Sequence, residues 1–181
     1  NLPGTYVIRY DVVDAATNAA TQVTRTVIVS DTTIPLISLI GSSPTNHQQG
    51  TTYSDAGVTA IDNIDGDISI SVLVTGTVNT NLSGTYTLTY NVADAAGNSA
   101  LTVTRDVIVA DTAIPVITLT GSSPVNHEQG LSYTDSGAAA TDGVDGDITL
   151  DIIVTGTVNV NAAGTYTLSY NVSDAAGNAA T

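Results

Sequence analysis

An all-β fold, built as tandem antiparallel sandwiches, is predicted by three features of this 181-residue sequence. Apolar residues recur at every second position, the period of a half-buried strand. A block of residues is written out more than once at a fixed offset, the mark of an array. No window carries apolar residues at helical spacing, and Ala sits beside Gly and Asn instead of in helical runs.

The repeat sets the frame for the rest. Residues 31–101 and 111–181 align without a gap, and 44 of the 71 positions are identical. DTTIP at 31 returns as DTAIP at 111, GSSPTNHQQG at 41 as GSSPVNHEQG at 121, and DGDI at 65 as DGDI at 145. The last third of the unit occurs three times, beginning at Pro3, Ser83 and Ala163. This arithmetic predicts the C-terminal strands of an incomplete repeat over 1–30, a complete repeat over 31–110, and a repeat lacking its last strand over 111–181. About 80 residues suffice for a small independent sandwich but not for an enzyme with a deep cleft.

Within one unit, Tyr86, Leu88, Tyr90 and Val92 alternate with Thr85, Thr87, Thr89 and Asn91, which reads as a strand with one buried face. The turn DAAGN follows, where Gly97 and Asn98 tolerate positive φ. Alternation resumes in Leu101, Val103, Arg105, Val107 and Val109. Ile34–Ile40 reads as a strand begun by Pro35, a residue tolerated at a strand start or an edge. Thr52–Thr59, Ile68–Val74 and Thr77–Val78 supply the remainder. Some seven short strands separated by turn signals argue for two-sheet antiparallel sandwiches of immunoglobulin-like type, about 80 residues per repeat. Tyr86, just after Gly84, stands where such sandwiches carry a tyrosine corner, and Tyr6 and Tyr166 are its repeats.

The string GTYTLTYNVADAAGNSA, the hydrophobic strand after it, DTTIP, and the internal YSDAGVTAIDNIDGDI together resemble the bacterial immunoglobulin-like surface repeats related to hyalin-repeat modules. The resemblance covers the whole chain. It implies a tandem extracellular spacer in a large secreted or surface protein, an adhesin or a multidomain hydrolase, with no catalytic residues of its own. Neighbouring repeats of the same chain, and identical chains in a filament or surface lattice, are the partners this implies.

Composition narrows the classes further. There is no Cys, Lys, Met, Trp or Phe, and three Arg face sixteen Asp and one Glu, for a formal charge of -14. Phosphate binding runs on Lys and Arg, so nucleic acid is excluded as a partner. No apolar run approaches the ~20 residues of a membrane span, so membrane insertion is not expected. Without Cys there are no disulfides, zinc-thiolate sites or thiol nucleophiles. The preference for Asp over Glu places the acids in turns and loops.

In a sandwich of this type the loop after the second strand and the loop between the last two strands lie at one end. That arrangement brings Asp62, Asp65 and Asp67 near Asp94 and Asn98, with Asp31 arriving from the preceding module. In the next repeat Asp111, Asp142, Asp145, Asp147, Asp174 and Asn178 correspond. Packed carboxylates repel one another, and calcium, which accepts six to eight oxygens in loose geometry, is the natural counter-ion. Zinc or copper would call for His or Cys in numbers absent here. Ordering such a junction would stiffen the string of modules, as in calcium-linked cadherin-like arrays. The bland reading is that DNIDGD and DAAGN are polar turns, for Asp, Asn and Gly all favour turns. DNIDGD also departs from the EF-hand pattern, since Ile64 holds a ligand position and no Glu closes the loop.

Other signals carry less. LPGTY at Leu2–Tyr6 has Tyr where a sortase signal needs Gly. His47 and His127 occur singly, one per module. Asp55 with Asp62, or Asp65 with Asp67, imitates a glycosidase pair, but no Trp offers a sugar platform and the same acids recur in every module. Two sequons, at Asn81 and Asn171, carry little weight in a bacterial protein. Two function classes remain: a structural spacer at the bacterial cell surface, and an accessory module that binds carbohydrate or protein on a secreted enzyme. Nearly copied end loops favour the first, because a specialised binding surface would differ between repeats.

Overall fold

The structure, a computed structural model, describes residues 3–180. Its strands are β1 (Gly4–Tyr10), β2 (Val23–Val29), β3 (Leu36–Leu39), β4 (Thr45–Gln48), β5 (Val58–Asp62), β6 (Gly66–Asp67), β7 (Leu73–Thr75), β8 (Gly84–Asn91), β9 (Val103–Ala110), β10 (Val116–Leu119), β11 (Ala138–Asp142), β12 (Gly146–Asp147), β13 (Ile153–Thr155) and β14 (Ser169–Asn171). The helical pieces among the described residues are two single 3-10 turns, Ser69–Ser71 and Thr149–Asp151. The chain is all-β, as the alternation requires. The described residues form two compact units, one of residues 3–43, 55–77 and 87–105, the other of 44–54, 78–86 and 106–180.

In the first unit β1 and β2 make an antiparallel hairpin, from Gly4 opposite Val29 to Tyr10 opposite Val23. The unit also holds a sheet in the order β3-β5-β6, and β7 antiparallel to β8, Leu73 opposite Asn91. Of the predicted inward set, Leu88 and Tyr90 on β8 and Val92 just beyond it are buried, with Ile37 and Ala60 from the β3-β5 sheet, while Tyr86 is half-buried. Arg105 keeps the same parity on β9 and is buried with them at 2% exposure.

In the second unit β4 runs parallel to β9, Thr45 opposite Val107 and Gln48 opposite Ala110. Val107 and Val109 are buried. The last repeat adds the sheet β10-β11-β12 and the pair β13-β14. Its core is Ala140, Ile148 and Val172, with Ile117, Ile152 and Ala180 packed against it.

The strands read over 34–40 and from 101 shorten to Leu36–Leu39 and Val103–Ala110, and four other segments differ from the sequence reading, each for a local reason. The strand expected over 52–59 starts only at Val58, because Asp55 Oδ2 accepts the Gly57 N–H and Gly57 has a φ of +79°. The segment 68–74 is strand only from Leu73: Asp67 Oδ1 accepts the N–H and hydroxyl of Ser69, and that turn becomes 3-10. Thr77–Val78 is irregular, since Gly76 before it has a φ of +100°. Nothing in the sequence marks Thr45–Gln48 as strand: its polar side chains carry no alternation, and the backbone of β9 holds it. The corresponding segment 125–128 and residues 165–168 of the last repeat are not strand, and they border a cavity of about 560 Å³.

Candidate metal centre

The site begins with a turn. In D-A-A-G-N, the Asn98 N–H donates to Asp94 Oδ1 at 2.7 Å and its amide Nδ2 to Asp94 Oδ2 at 2.7 Å. Gly97 supplies the positive φ of +92° that closes the loop. Asp174 and Asn178 repeat these bonds at 2.7 Å each. In the first repeat Asp14 and Asn18 do likewise, and the glycine position is held by Thr17 at a φ of +71°.

The second element is the end of β5. Asp62 Oδ1 accepts the N–H groups of Ile64 at 2.8 Å and Asp65 at 3.0 Å. These donors, Asp65 first, hold the Asp62 carboxyl below the usual carboxylate range, so it is ionised at neutral pH. Asp142 is held down in the same way by the N–H groups of Val144 and Asp145. Asp65 Oδ2 accepts the Ala95 N–H at 2.7 Å and so ties this loop to the DAAGN turn; Asp145 does the same to Ala175 at 2.8 Å.

The third element enters each repeat. Asp31 Oδ1 accepts the Thr33 N–H at 3.1 Å, and its carbonyl accepts Asn98 Nδ2 at 3.3 Å. Asp111 is tied to Asn178 Nδ2 through its carbonyl at 3.3 Å, and its Oδ1 accepts from the Ala113 N–H and from Gln48 Nε2 at 2.8 Å.

These elements bring Asp31, Asp62 and Asp94 together, with one carboxylate oxygen from each within 4.8 Å of the others. Asp111, Asp142, Asp145 and Asp174 form the matching group in the last repeat under the same limit. Asp65 falls outside the first group, while its counterpart Asp145 belongs to the second. Asp67 and Asp147 fall outside both. Strand parity separates Asp67 from Asp62, and its Oδ1 is taken by Ser69; Asp147 Oδ1 accepts the Thr149 N–H at 3.0 Å. Asn98 and Asn178, also expected as ligands, each donate Nδ2–H to a carboxylate oxygen of the DAAGN turn and to the carbonyl of the incoming aspartate, bonds that leave their Oδ1 atoms uncommitted.

Asp62 is 4% exposed and Asp94 8%. Asp62 Oδ2 is fully buried and accepts no hydrogen bond, and the same holds for the Oδ2 atoms of Asp111 and Asp142. Two carboxylates near 4.8 Å repel by ~3–4 kcal/mol at an effective dielectric of ~20. The chain has no Lys, and of its three Arg, Arg105 is paired with Asp55 and Arg9 donates to Gln22. All-oxygen donors in irregular loops fit a hard cation such as calcium. His47 and His127 are spent elsewhere, on the carbonyls of Thr51 and Leu131.

The sequence reading missed two features. Gln48 clasps the linker into the last repeat, donating to Asp111 and accepting from the Thr112 N–H at 2.8 Å and hydroxyl at 2.6 Å. Its signal was the recurrent NHQQG, in which Gln48 gives way to Glu128. The second is Asp55, which joins Arg105 and the Tyr90 hydroxyl.

A family profile described as bacterial surface protein, Ig-like domain, matches residues 37–109 and 117–181. An uncharacterized 81.3 kDa protein of Acholeplasma phage L2 is 36% identical over 129 residues, 67% of this chain and 17% of the relative. The pesticidal crystal protein Cry22Aa of Bacillus thuringiensis is 32% identical over 133 residues, 70% of this chain and 18% of that protein. The chain therefore spans under a fifth of the length of these curated relatives. Among solved structures, the lipoprotein BT2262 of Bacteroides thetaiotaomicron is 30% identical, with a TM-score of 0.39, covering 44% of this chain and 39% of the lipoprotein. A structure of CBM51-2 with GlcNAc and INT domains of Clostridium perfringens ZmpB is 22% identical, with a TM-score of 0.37, covering 49% of this chain and 21% of that one.

Proposed function

The chain belongs to the family of bacterial surface protein Ig-like domains, and on that premise we propose that it is an extracellular spacer. Tandem sandwiches of this kind hold an adhesive or catalytic domain of a larger protein away from the cell, or pack side by side in a filament or surface layer. The observation that carries this reading is the copying of the loops themselves. The turns DAAGN, DGDI and GSSP, which a binding module would vary, recur unchanged at an offset of 80 residues from 31–101 to 111–181. Carbohydrate recognition also draws on exposed Trp, which the chain lacks. No catalytic role is assigned to any residue.

A spacer must resist extension. In the middle repeat the residues that lock the sandwich, such as Asp55 with Arg105, are separated by 50 positions, so extension must break long-range pairing before the chain lengthens. Pulling the whole chain by its ends in a single-molecule instrument tests this. Opening one repeat of ~80 residues should release a discrete step of about 260–290 Å of contour, at ~3.3–3.6 Å per residue. Featureless lengthening would overturn the spacer reading, and selective binding of the chain to an immobilised glycan would favour the accessory-module reading instead.

A further inference from the structure

We propose that this chain binds two divalent cations of the calcium class, one chelated by Asp31, Asp62 and Asp94 and the other by Asp111, Asp142, Asp145 and Asp174. Clustered acids alone would not carry this, since exposed carboxylates often gather without a metal. The second observation is the buried oxygen. Asp62 is 4% exposed, its Oδ1 is saturated by two backbone N–H groups, and its Oδ2 lies buried with no donor to meet it. A buried carboxylate oxygen without a partner is costly, and the Asp62 carboxylate has an oxygen within 4.8 Å of one from Asp31 and one from Asp94, so a cation is the partner that satisfies the group. In the second group the half-buried Asp111 and Asp142 each leave an Oδ2 atom buried and unbonded, beside Asp174 at 7% exposure.

One oxygen from each residue of a group lies within 4.8 Å of the others, close enough to share one ion, since opposite ligands of calcium, at ~2.3–2.6 Å from it, stand ~4.6–5.2 Å apart. Magnesium demands a tighter octahedron and keeps its waters, for which turns held by their own backbone bonds offer no special shape. The site owes nothing to the spacer reading: a chain with another task would hold the same ligands.

Calorimetric titration of the chelator-treated full chain with calcium chloride is the test. Two ions per chain are expected, with affinity for magnesium at least tenfold weaker. Asp62→Asn should reduce the stoichiometry to one, and Asp62→Asn with Asp142→Asn should abolish binding. Asn keeps an oxygen to accept the Ile64 and Asp65 N–H groups, and circular dichroism confirms folding; if that variant does not fold, Asp94→Asn, on the neighbouring turn, is read instead. Asp67→Asn with Asp147→Asn should still bind two. Calcium at 100 times its dissociation constant should raise the melting temperature by about 5–20 °C. No heat and no thermal shift in millimolar calcium would overturn the proposal, as would unchanged stoichiometry in the Asp62→Asn, Asp142→Asn chain.

Discussion

Removing Asp55 should damage the middle repeat more than its partial exposure suggests. Arg105 lies on β9 at a parity otherwise given to Val103, Val107 and Val109, and its side chain is 2% exposed. The guanidinium is held by Asp55 Oδ1 and by the carbonyls of Ile40 and Gly57, with its charge 6.0 Å from the centre of the Tyr90 ring. Asp55 Oδ2 in turn accepts the Tyr90 hydroxyl at 2.8 Å and the Gly57 N–H at 3.1 Å. Asp55→Ala therefore strands a buried cation and frees two further donors. Breaking a buried pair from one side costs ~3–5 kcal/mol; the 23% exposure of the Asp55 side chain argues for the lower half of that range, and each freed donor adds ~1 kcal/mol at most. A loss of ~3–6 kcal/mol lowers the melting temperature of a domain this size by roughly 12–48 °C. Calorimetry or circular dichroism of the full chain reads the shift. Arg105→Met added to Asp55→Ala removes the stranded charge and should recover ~2 kcal/mol. A single variant that loses under ~1 kcal/mol, or a double variant no more stable than the single, refutes the reasoning.

Three smaller effects follow from the same geometry. Tyr86→Phe deletes the hydroxyl that donates to the Leu82 carbonyl at 2.8 Å, and should cost ~0.5–1.5 kcal/mol in denaturant melts, with Tyr166→Phe behaving alike for its 3.0 Å bond to Ala162. Gly76→Ala places a Cβ 2.3 Å from the Thr87 carbonyl oxygen on a backbone with φ at +100°, so the chain must shift and stability should fall by at least ~1–3 kcal/mol; Gly156 meets Thr167 at the same 2.3 Å. Tyr170 is pushed up to about 12, first by its hydrogen bond to Asp135 and then by burial. The folded state thus holds this proton more tightly than the unfolded chain, whose tyrosines titrate near ~10. The stabilisation is whole below pH ~10 and is lost as pH rises through the folded value. Ultraviolet titration should find one tyrosine ionising last in the native chain, and Asp135→Asn should bring it back toward its ordinary range; a titration unchanged by that substitution counts against the assignment.

What the sequence discloses and what it withholds divide along the range of the interactions. Tyr86 to Val92 and Val103 to Val109 announce their strands because each buries alternate side chains, a signal carried by neighbours in sequence. The aspartate turns are equally local: Asp62 and Asp94 bond to N–H groups within four positions of themselves. β4 escapes because Thr45–Gln48 is held by the backbone of a strand near residue 108, and TNHQ carries no trace of that partner. The same distance hides Asp55 with Arg105, 50 positions apart, and Gln48 with Asp111, 63 apart. Among the acids, proximity in sequence misleads: Asp67 lies near Asp62 along the chain, yet the pairing of β5 with β6 sets Asp67 opposite Ile61 and Gly66 opposite Asp62.

The spacing of the acids also says what a cation held there would do. Asp31, Asp62 and Asp94 are separated by 31 and 32 residues (62 − 31 and 94 − 62), and each belongs to a different local structure. One ion bound by all three closes two long loops at once, the service a disulfide performs in chains that contain Cys. Bonds from backbone N–H groups to the Asp62 and Asp94 carboxylates already fix the two turns, whereas Asp31 is tied to the Asp94 turn by one side-chain bond, from Asn98 at 3.3 Å. Chelation of the metal should therefore release the incoming segment first and leave the core of Leu88, Tyr90 and Val92 packed. Amide exchange in a chelator should rise at Asp31–Thr33 before it rises in β8, and equal loss of protection at both would mean that the acids hold the sandwich itself and not the segment that leads into it.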